Sequence, residues 1–300
     1  MRMSKTAAKV LLAKGTITKE RVFLGGGDFR GAKIKNKTLV ISRFVEIGFL
    51  GSEFEDCIFS HSYFERCYFR KASLTGVTLT GCTFRDCNFD MAKFIDCDLD
   101  YAEFHNCSVT FPQIQPCLPT QVNVLRDLVR NLRVNAQNRG QSEDYRKFLL
   151  EEMKASRGYN RKKALGRESY FKTKYPSFTD RLAGLRELTR LVIEDILWGY
   201  GEVPTRVIYT SVAIVLLFAF LYWVLSIWDS LLGRVEIRNM PQGATIEYLW
   251  FSVTAFISGA YGDLTPASLL ALLLSTVERG LGLIMFGFFV TALYRRISKR

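Results

Sequence analysis

An apolar residue recurs at every fifth position through most of the first third of the chain. From Gly27 onward the centres of successive five-residue blocks are all apolar, with no shift of register. The seventeen centres are Phe29, Ile34, Leu39, Phe44, Phe49, Phe54, Phe59, Phe64, Phe69, Leu74, Leu79, Phe84, Phe89, Phe94, Leu99, Phe104 and Val109. An amphipathic helix has a period of 3.6 residues and a half-buried strand a period of two. The pattern instead predicts a solenoid whose sides are five residues long and whose turns stack on one another.

A second residue in each block is predicted to face inward. The position two before the centre is mostly small: Ala32, Ser42, Ser52, Cys57, Ser62, Cys67, Ala72, Val77, Cys82, Cys87, Ala92, Cys97, Ala102 and Cys107, with Lys37 and Ile47 as exceptions. Six of the seven cysteines occupy this position, so we interpret them as small buried apolar residues rather than redox or metal sites. His61 and His105 fall at outward positions, where a solvated surface is the expected role. The sequence predicts no metal site.

The repeat resembles that of the pentapeptide-repeat family, whose motif reads roughly A(D/N)LXX. The resemblance covers Gly27–Phe111 and follows an N-terminal segment, residues 1–26. It implies a right-handed quadrilateral β-helix in which four blocks make one turn, giving about four turns in all.

Helical spacing replaces the period of five after the repeats. Apolar residues recur at this spacing in two stretches that are separated near Asn138–Gly140, so two helices are predicted. A third helix is predicted from a cap at Thr179 to about Trp198. It is basic at its start and apolar along one face, and it either lies in the membrane interface or packs against the chain's own core. Residues 112–203 are therefore expected to form an α-helical connector.

Charge and hydropathy separate along the chain. The chain combines a mean hydropathy of +0.07 with 23% charged residues and a net charge of +12. Val207–Trp228 carries no charge, and Leu269–Leu293 carries only Glu278 and Arg279. Each is long enough to cross a bilayer, and a buried helical hairpin of a soluble protein is the alternative. Because positive blocks flank this region and few cations lie inside it, a multi-pass protein of the cell inner (plasma) membrane is expected, with both termini cytoplasmic. This placement of charge argues against nucleic acid as a partner.

A short apolar segment lies between the two expected spans. Thr245–Ile257 is too short to cross a bilayer but suits a re-entrant helix. The residues Trp250-x-Ser252-Val253, followed by Tyr261-Gly262-Asp263-Leu264-x-Pro266, resemble the pore helix and selectivity filter of two-transmembrane potassium channels. The resemblance covers Val207–Arg300. It implies an all-α two-span membrane pore domain at residues 204–300, with spans 207–228 and 269–293, a re-entrant pore helix at 245–257 and a filter at 258–263.

The resemblance also implies which residues bind ions. The filter residues are Ser258, Gly259, Ala260, Tyr261, Gly262 and Asp263, and in this family backbone carbonyls from four subunits replace the water around a potassium ion. Gly259 stands at the valine position and Ala260 at the first filter glycine, where a positive φ costs an alanine on the order of 1 kcal/mol. Potassium selectivity, a non-selective monovalent pore and calcium entry therefore all stay open.

Further residues of the second span are assigned by position. Gly282 matches the family's hinge on the pore-lining helix, and Gly280 and Gly287 are alternative hinges. The competing interpretation is that these glycines only permit close helix packing. Glu278 is expected to face protein rather than lipid, and to support the filter by bracing the pore helix from behind.

The multidomain chain is thus expected to be a homotetrameric, gated, potassium-channel-like cation channel. Its expected partners are the lipid bilayer, permeant K+ (or Na+ or Ca2+) and an unknown cytoplasmic ligand or protein, and no cofactor is expected. The β-helix would serve assembly or gating. The alternative is a non-conducting membrane scaffold or a partner-binding pentapeptide-repeat protein. An enzyme is not expected, since the sequence has no nucleophile elbow, P-loop, zinc spacing or paired carboxylates.

Overall fold

The structure is a computed structural model that describes residues 2–3, 17–227, 235–238, 245–257 and 264–298. It divides into two compact units, Met1–Leu188 and Thr189–Arg300. The strands of the first unit, β1 to β12, are Arg2–Met3, Ile17–Glu20, Phe23–Asp28, Lys33–Lys35, Lys37–Val40, Arg43–Gly48, Glu53–Glu55, Tyr63–Glu65, Ser73–Thr75, Thr83–Arg85, Lys93–Ile95 and Glu103–His105. The helices α1 to α5 are Phe111–Ile114, Val122–Asn138, Ser142–Leu165, Ser169–Lys174 and Phe178–Trp198. The remaining elements are α6 (Pro204–Ile227), β13 (Ile237–Arg238), α7 (Thr245–Ile257), β14 (Thr265–Pro266) and α8 (Leu269–Ser298).

The strands of the first unit form parallel ladders with a constant offset of twenty residues. Phe44 of β6 pairs with Phe64 of β8, which pairs with Phe84 of β10, and Phe84 pairs with Phe104 of β12. One turn therefore contains four blocks of five residues. The first unit is a β-solenoid of about four turns, followed by a helical region.

The inward positions are those that the period of five predicted. All seventeen centres are buried, none with more than 7% of its surface exposed. Because equivalent residues are one turn apart, their rings stack: the centroids of Phe44 and Phe64 are 4.5 Å apart and those of Phe64 and Phe84 are 5.0 Å apart. The exceptions at the small position, Lys37 and Ile47, are buried as well.

The ladder begins upstream of the predicted start at Gly27. Strand β2 pairs with β5, and β3 pairs with β6, so residues of the expected N-terminal segment belong to the solenoid. Val22 and Leu24 occupy the same inward positions as later blocks and are buried. The difference arises because the register of five continues through Leu24, and glycines at positions 25–27 conceal it in the sequence.

Each corner of the solenoid is a residue in the left-handed region. From Arg21 to Asn106, every fifth residue has a φ between +51° and +65°, eighteen residues in all. Ten of them are Gly, Asn or Asp, the residues that adopt this conformation most readily. The remaining eight, which include the β-branched Ile41, take the same conformation because the stacked ladders on both sides fix the corner.

The helices of the connector follow the predicted pattern. Helices α2 and α3 are separated at Arg139–Gln141, next to the predicted break. The helix expected from Thr179 begins one residue earlier, at Phe178, and the cap is different. The Ser177 hydroxyl, immediately before the helix, accepts a hydrogen bond from the Thr179 backbone N–H (3.3 Å). Ser177 therefore satisfies one of the free N–H groups of the first turn.

Helices α2 and α3 share the hydrophobic core of the solenoid. Leu128, Val129 and Leu132 of α2 are buried in the same cluster as the phenylalanines of the coils, together with Phe148 of α3. The expected division into a β-helix (27–111) and a connector (112–203) therefore does not correspond to two separate cores. The helices cover the end of the last turn, which would otherwise expose apolar side chains and free strand edges.

Candidate functional site

The second unit is built around one short helix. Helix α7 contacts both α6 and α8, and Phe251 at its middle is fully buried. Helix α7 has the bounds predicted for it, Thr245–Ile257. The core around it includes Phe218 of α6 and Ala271 of α8.

A buried carboxyl group joins the three helices. Glu278 of α8 accepts a hydrogen bond from the Tyr222 hydroxyl of α6 (2.7 Å) and another from the Ser252 hydroxyl of α7. Glu278, Tyr222 and Ser252 are all completely buried. The Ser252 hydroxyl also lies 2.9 Å from the backbone carbonyl oxygen of Val215. Because a hydroxyl donates only one hydrogen, Ser252 can serve one of these two acceptors at a time. The cluster connects α7 to a helix on each side of it.

The three glycines of α8 differ in their surroundings. A Cβ added at Gly282 would overlap the backbone carbonyl of Phe256, at the C-terminal end of α7. At Gly280 and Gly287 an added Cβ would meet no atom within 4 Å. Helix α8 continues through all three glycines. Gly282 is therefore the residue that lets α8 approach α7 closely, whereas neither Gly280 nor Gly287 has such a contact.

The predicted filter, Ser258–Asp263, lies outside the described residues, but the segments next to it are described. Leu264, which follows it directly, is buried. Strand β14 pairs antiparallel with β13, so that Pro266 lies opposite Ile237. The Ala267 backbone N–H donates to the Glu236 carbonyl (2.8 Å). The segment that leaves the predicted filter is thereby tied to the loop between the two long helices.

Two helices, Pro204–Ile227 and Leu269–Arg295, are long and apolar enough to cross a membrane. Their mean hydropathies are 2.3 and 1.8. Most of each helix is exposed within the chain, since only 17% of the apolar stretch of the first helix and 28% of that of the second are buried. Large apolar side chains such as Phe286 project outward with 67% of their surface exposed. The core helix of a soluble protein would bury such side chains.

A tight turn connects α5 to α6 and contacts the end of α8. Gly199, Tyr200 and Gly201 all have positive φ angles. The Arg295 guanidinium of α8 donates to the Tyr200 carbonyl (3.4 Å) and lies 5.7 Å from the centre of the Trp198 ring. The Tyr200 hydroxyl donates to a backbone carbonyl of α5 (2.9 Å). The turn therefore fixes the ends of three helices to one another.

Comparison with known proteins identifies the repeats. The family model described as "Pentapeptide repeat region" matches residues 47–123. These residues are a pentapeptide-repeat region. No curated protein matches the chain.

Several solved structures resemble the solenoid, and two of them are described as pentapeptide-repeat proteins. One is the pentapeptide repeat protein Rfr23 from the cyanobacterium Cyanothece 51142 (13% identity, 29% of this chain and 70% of that chain, TM-score 0.23). Another comes from the thylakoid lumen of Arabidopsis thaliana (21% identity, 38% and 90%, TM-score 0.20). A third is QnrB1, a plasmid-mediated fluoroquinolone resistance protein (18% identity, 35% and 56%, TM-score 0.18).

Six cysteines of the pentapeptide-repeat region donate hydrogen bonds to the turn before. The Cys82 thiol donates to the Phe59 carbonyl (2.8 Å), and the Cys57 thiol donates to the Ile34 carbonyl (3.4 Å). At an equivalent position the Ser62 hydroxyl donates to the Leu39 carbonyl (3.0 Å). Burial raises the pKa of the Cys82 thiol to about 12. All seven cysteines are free and buried.

Two asparagines of α2 close the last turn of the repeats. The Asn135 side chain accepts from the Cys107 backbone N–H and donates to the Cys107 carbonyl, both at 2.8 Å. One helical turn earlier, Asn131 accepts from the Phe104 N–H (2.7 Å). Each amide thus takes the place of the next strand, which the solenoid lacks here.

Sequence reasoning missed these partners. Asn135 gave a signal, since a polar residue interrupts the apolar face of a helix, but the sequence does not show what it meets. Tyr222 lies in a predicted apolar span, where aromatic residues are common, so the sequence pattern gave no signal for it. No group of metal-ligating side chains is present among the described residues.

Proposed function

We propose that the chain is one subunit of a homotetrameric cation channel of the potassium-channel-like class. Four copies surround one axis, and monovalent cations pass through a gated central pore. The observation that carries the proposal is that helix α7, too short to cross a membrane, is held between two apolar helices through the buried Glu278. A re-entrant pore helix needs such support, because it ends inside the membrane and must aim its C-terminal end at the ion.

In this proposal the filter is formed by Ser258–Asp263. Its backbone carbonyls and the Ser258 hydroxyl replace the water molecules around the ion, and Asp263 adds negative charge at the outer mouth. Glu278 supports the filter from behind by holding α7. Gly282 sets the distance between α7 and the pore-lining helix α8, and it remains a candidate hinge together with Gly280 and Gly287. Ala260 stands where the potassium-channel family has its first filter glycine. Which of K+, Na+ and Ca2+ passes is therefore left to experiment.

The proposed location is the cell inner membrane, with α6 and α8 as its spans and both termini cytoplasmic. Its support is the charge pattern: cations accumulate before α6 and at the end of α8, as the positive-inside rule requires. The pentapeptide-repeat region then lies in the cytoplasm and serves assembly or gating. We further propose that it is a right-handed quadrilateral β-helix, for which the four blocks in each turn are the support.

The experiment is to measure reversal potentials of the purified full chain in planar bilayers under gradients of potassium, sodium, calcium and chloride. A reversal potential that follows the potassium gradient supports a selective filter despite Ala260. A reversal near zero for potassium against sodium, with chloride excluded, supports a non-selective cation pore.

A matched pair of variants connects the current to the proposed filter. Asp263→Asn is expected to reduce cation conductance because it removes charge from the outer mouth. Asp100→Asn removes the same charge from the solenoid and is expected to leave conductance unchanged. Absence of current from an intact assembly under all conditions would contradict the proposal and favour a non-conducting scaffold.

A further inference from the structure

A stretch of the first unit that follows the solenoid carries a strong excess of positive charge. Residues 157–174 contain seven Lys or Arg residues and one acid, Glu168. The solenoid, residues 27–111, contains ten cations and twelve acids, and these pair across turns, as Lys33 does with Glu53 (3.0 Å). We call residues 157–178 the basic segment. It has far more positive charge than its own acids can compensate.

The basic segment is folded rather than a loose tail. It contains the end of α3, the helix α4 and the first residue of α5. Phe171 of α4 is buried, and its ring lies 5.1 Å from that of Tyr159 in α3. The hydroxyls of Tyr159 and Tyr175 are 2.7 Å apart. The guanidinium of Arg126 in α2 lies over the Tyr159 ring, 4.1 Å from its centre. The aromatic cluster therefore fixes α4 against the α2–α3 hairpin.

Exposed apolar side chains accompany the exposed cations. Leu165, Tyr170 and Phe178 have 48%, 42% and 77% of their surface exposed. The cations Arg161, Arg167 and Lys172 of the same segment are exposed as well. Cations attract an anionic bilayer surface, and neighbouring aromatic or aliphatic side chains enter the boundary between headgroups and acyl chains. A partner that is only anionic would leave the apolar side chains in water.

We propose that the basic segment docks on the anionic headgroups of a lipid bilayer. The charge complementarity above favours this occupant. So does chain connectivity, because Phe178 begins the helix that ends at Trp198, shortly before the first apolar span starts at Pro204. The inference rests on the proposed membrane location but not on ion conduction.

The test uses the full chain reconstituted into nanodiscs of phosphatidylcholine, with or without phosphatidylglycerol. An environment-sensitive fluorophore is attached to Tyr170→Cys or, in a second variant, to Phe178→Cys. The native cysteines do not compete, because all seven are buried. The expected result is a blue shift of the emission, and quenching by brominated acyl chains, only in discs that contain phosphatidylglycerol.

Two variants of equal charge show whether the segment itself is responsible. The triple variant Arg161→Gln, Arg167→Gln and Lys172→Gln is expected to weaken the dependence on phosphatidylglycerol by about fivefold for each cation, roughly a hundredfold in total. The control Lys71→Gln, Arg85→Gln and Lys93→Gln removes three exposed cations of the solenoid and is expected to change nothing.

Three results obtained with inserted chains would overturn the inference. One is identical spectra with and without phosphatidylglycerol at both labelled positions. Another is an equal loss in the two triple variants, which would mean that net charge alone is responsible. The third is a blue shift with a single-stranded oligonucleotide but not with anionic lipid, which would assign the segment to nucleic acid. A chain that fails to insert into any disc overturns the membrane location as well, whereas inserted chains that do not conduct leave this inference standing.

Discussion

A solenoid with a corner every five residues requires single residues to adopt an unfavourable backbone conformation. Every corner is left-handed, a conformation that costs an ordinary residue roughly 1–2 kcal/mol relative to the right-handed region. Ten of the eighteen corners are Gly, Asn or Asp, which adopt this conformation most readily, and the other eight corners are strained. The strained corners are therefore sites at which stability can be gained without altering the core.

Ile41→Asn is expected to stabilise the protein by about 1 kcal/mol, because Asn tolerates the left-handed region better than a β-branched residue. Ile41 has a φ of +52°, and 52% of its surface is exposed, so little burial is lost. Chemical unfolding followed by thiol reactivity measures the change. Ile95→Asn is the control, since Ile95 is also partly exposed but lies in strand β11, where Asn is disfavoured. A loss of stability in both variants would contradict the explanation.

Gly282→Ala is expected to disrupt the second unit because the added methyl group would overlap the Phe256 carbonyl. The α7 helix would have to shift, and with it the segment that enters the predicted filter. Gly280→Ala and Gly287→Ala add the same methyl group in open space and are expected to leave the unit intact. Yield of folded protein in detergent and the tryptophan emission, which comes entirely from the second unit, distinguish the variants. If Gly280→Ala proved as harmful as Gly282→Ala, flexibility of the helix rather than close packing would be its cause.

At the scale of elements, buried polar side chains help to hold each unit together. In the first unit they replace the backbone partners that a further strand would supply, and in the second they link neighbouring helices by hydrogen bonds. Helix α2 ends the parallel ladders with two asparagines. Helix α7 is positioned by a carboxyl group of α8, which also accepts a hydrogen bond from a hydroxyl group of α6. In each case the polar group is buried, so that its loss would leave another buried group without a partner.

Asn135→Leu is expected to destabilise the first unit by roughly 3 kcal/mol, since the N–H and C=O groups of Cys107 would both lose a buried hydrogen bond. Asn138→Leu, at the exposed end of the same helix, is the control. Unfolding in urea measures the difference. An open strand edge also promotes association between chains, so the Asn135 variant should aggregate more readily. Equal stabilities of the two variants would show that the amide is not needed to close the solenoid.

Glu278→Leu is expected to destabilise the second unit because the Tyr222 hydroxyl would lose its buried acceptor. Glu278→Gln retains an oxygen for Tyr222, and its amide can donate to Ser252 while Ser252 donates to the Val215 carbonyl. The glutamine variant should therefore keep close to normal thermal stability in detergent. Should the leucine variant be as stable as the glutamine variant, the hydrogen bonds to Glu278 contribute nothing measurable.

At the scale of the whole molecule, the chain carries separate natural probes for its two units. All seven cysteines lie between positions 57 and 117, in the first unit. All four tryptophans lie between positions 198 and 250, in the second. A change in thiol reactivity therefore reports on the solenoid, and a change in tryptophan emission reports on the apolar helices.

We expect these two probes to follow different unfolding transitions in guanidinium chloride. The first unit is stabilised by stacked turns with buried phenylalanines, and the second by three helices around Phe251. Separate cores have no reason to unfold together. The Cys82 thiol is also expected to be unreactive at neutral pH in the native chain, since burial raises its pKa to about 12. Coincident transitions with a single midpoint would show that the units unfold as one.

The sequence by itself determined the parts of the fold that repeat locally. The period of five predicted which residues of the solenoid face inward, and helical spacing predicted α2, α3 and α7. Both predictions work because apolar residues recur with the period at which the local backbone turns its side chains toward the core. The left-handed corners could have been predicted too, since Gly, Asn and Asp accumulate there. Only the tertiary structure decided that α2 closes the solenoid through Asn135, that Glu278 meets Tyr222 and Ser252, and that Gly282 rather than Gly280 or Gly287 touches α7. These contacts join segments about twenty to sixty residues apart, and a periodic pattern has no information about which distant residue completes a hydrogen bond or fills a gap.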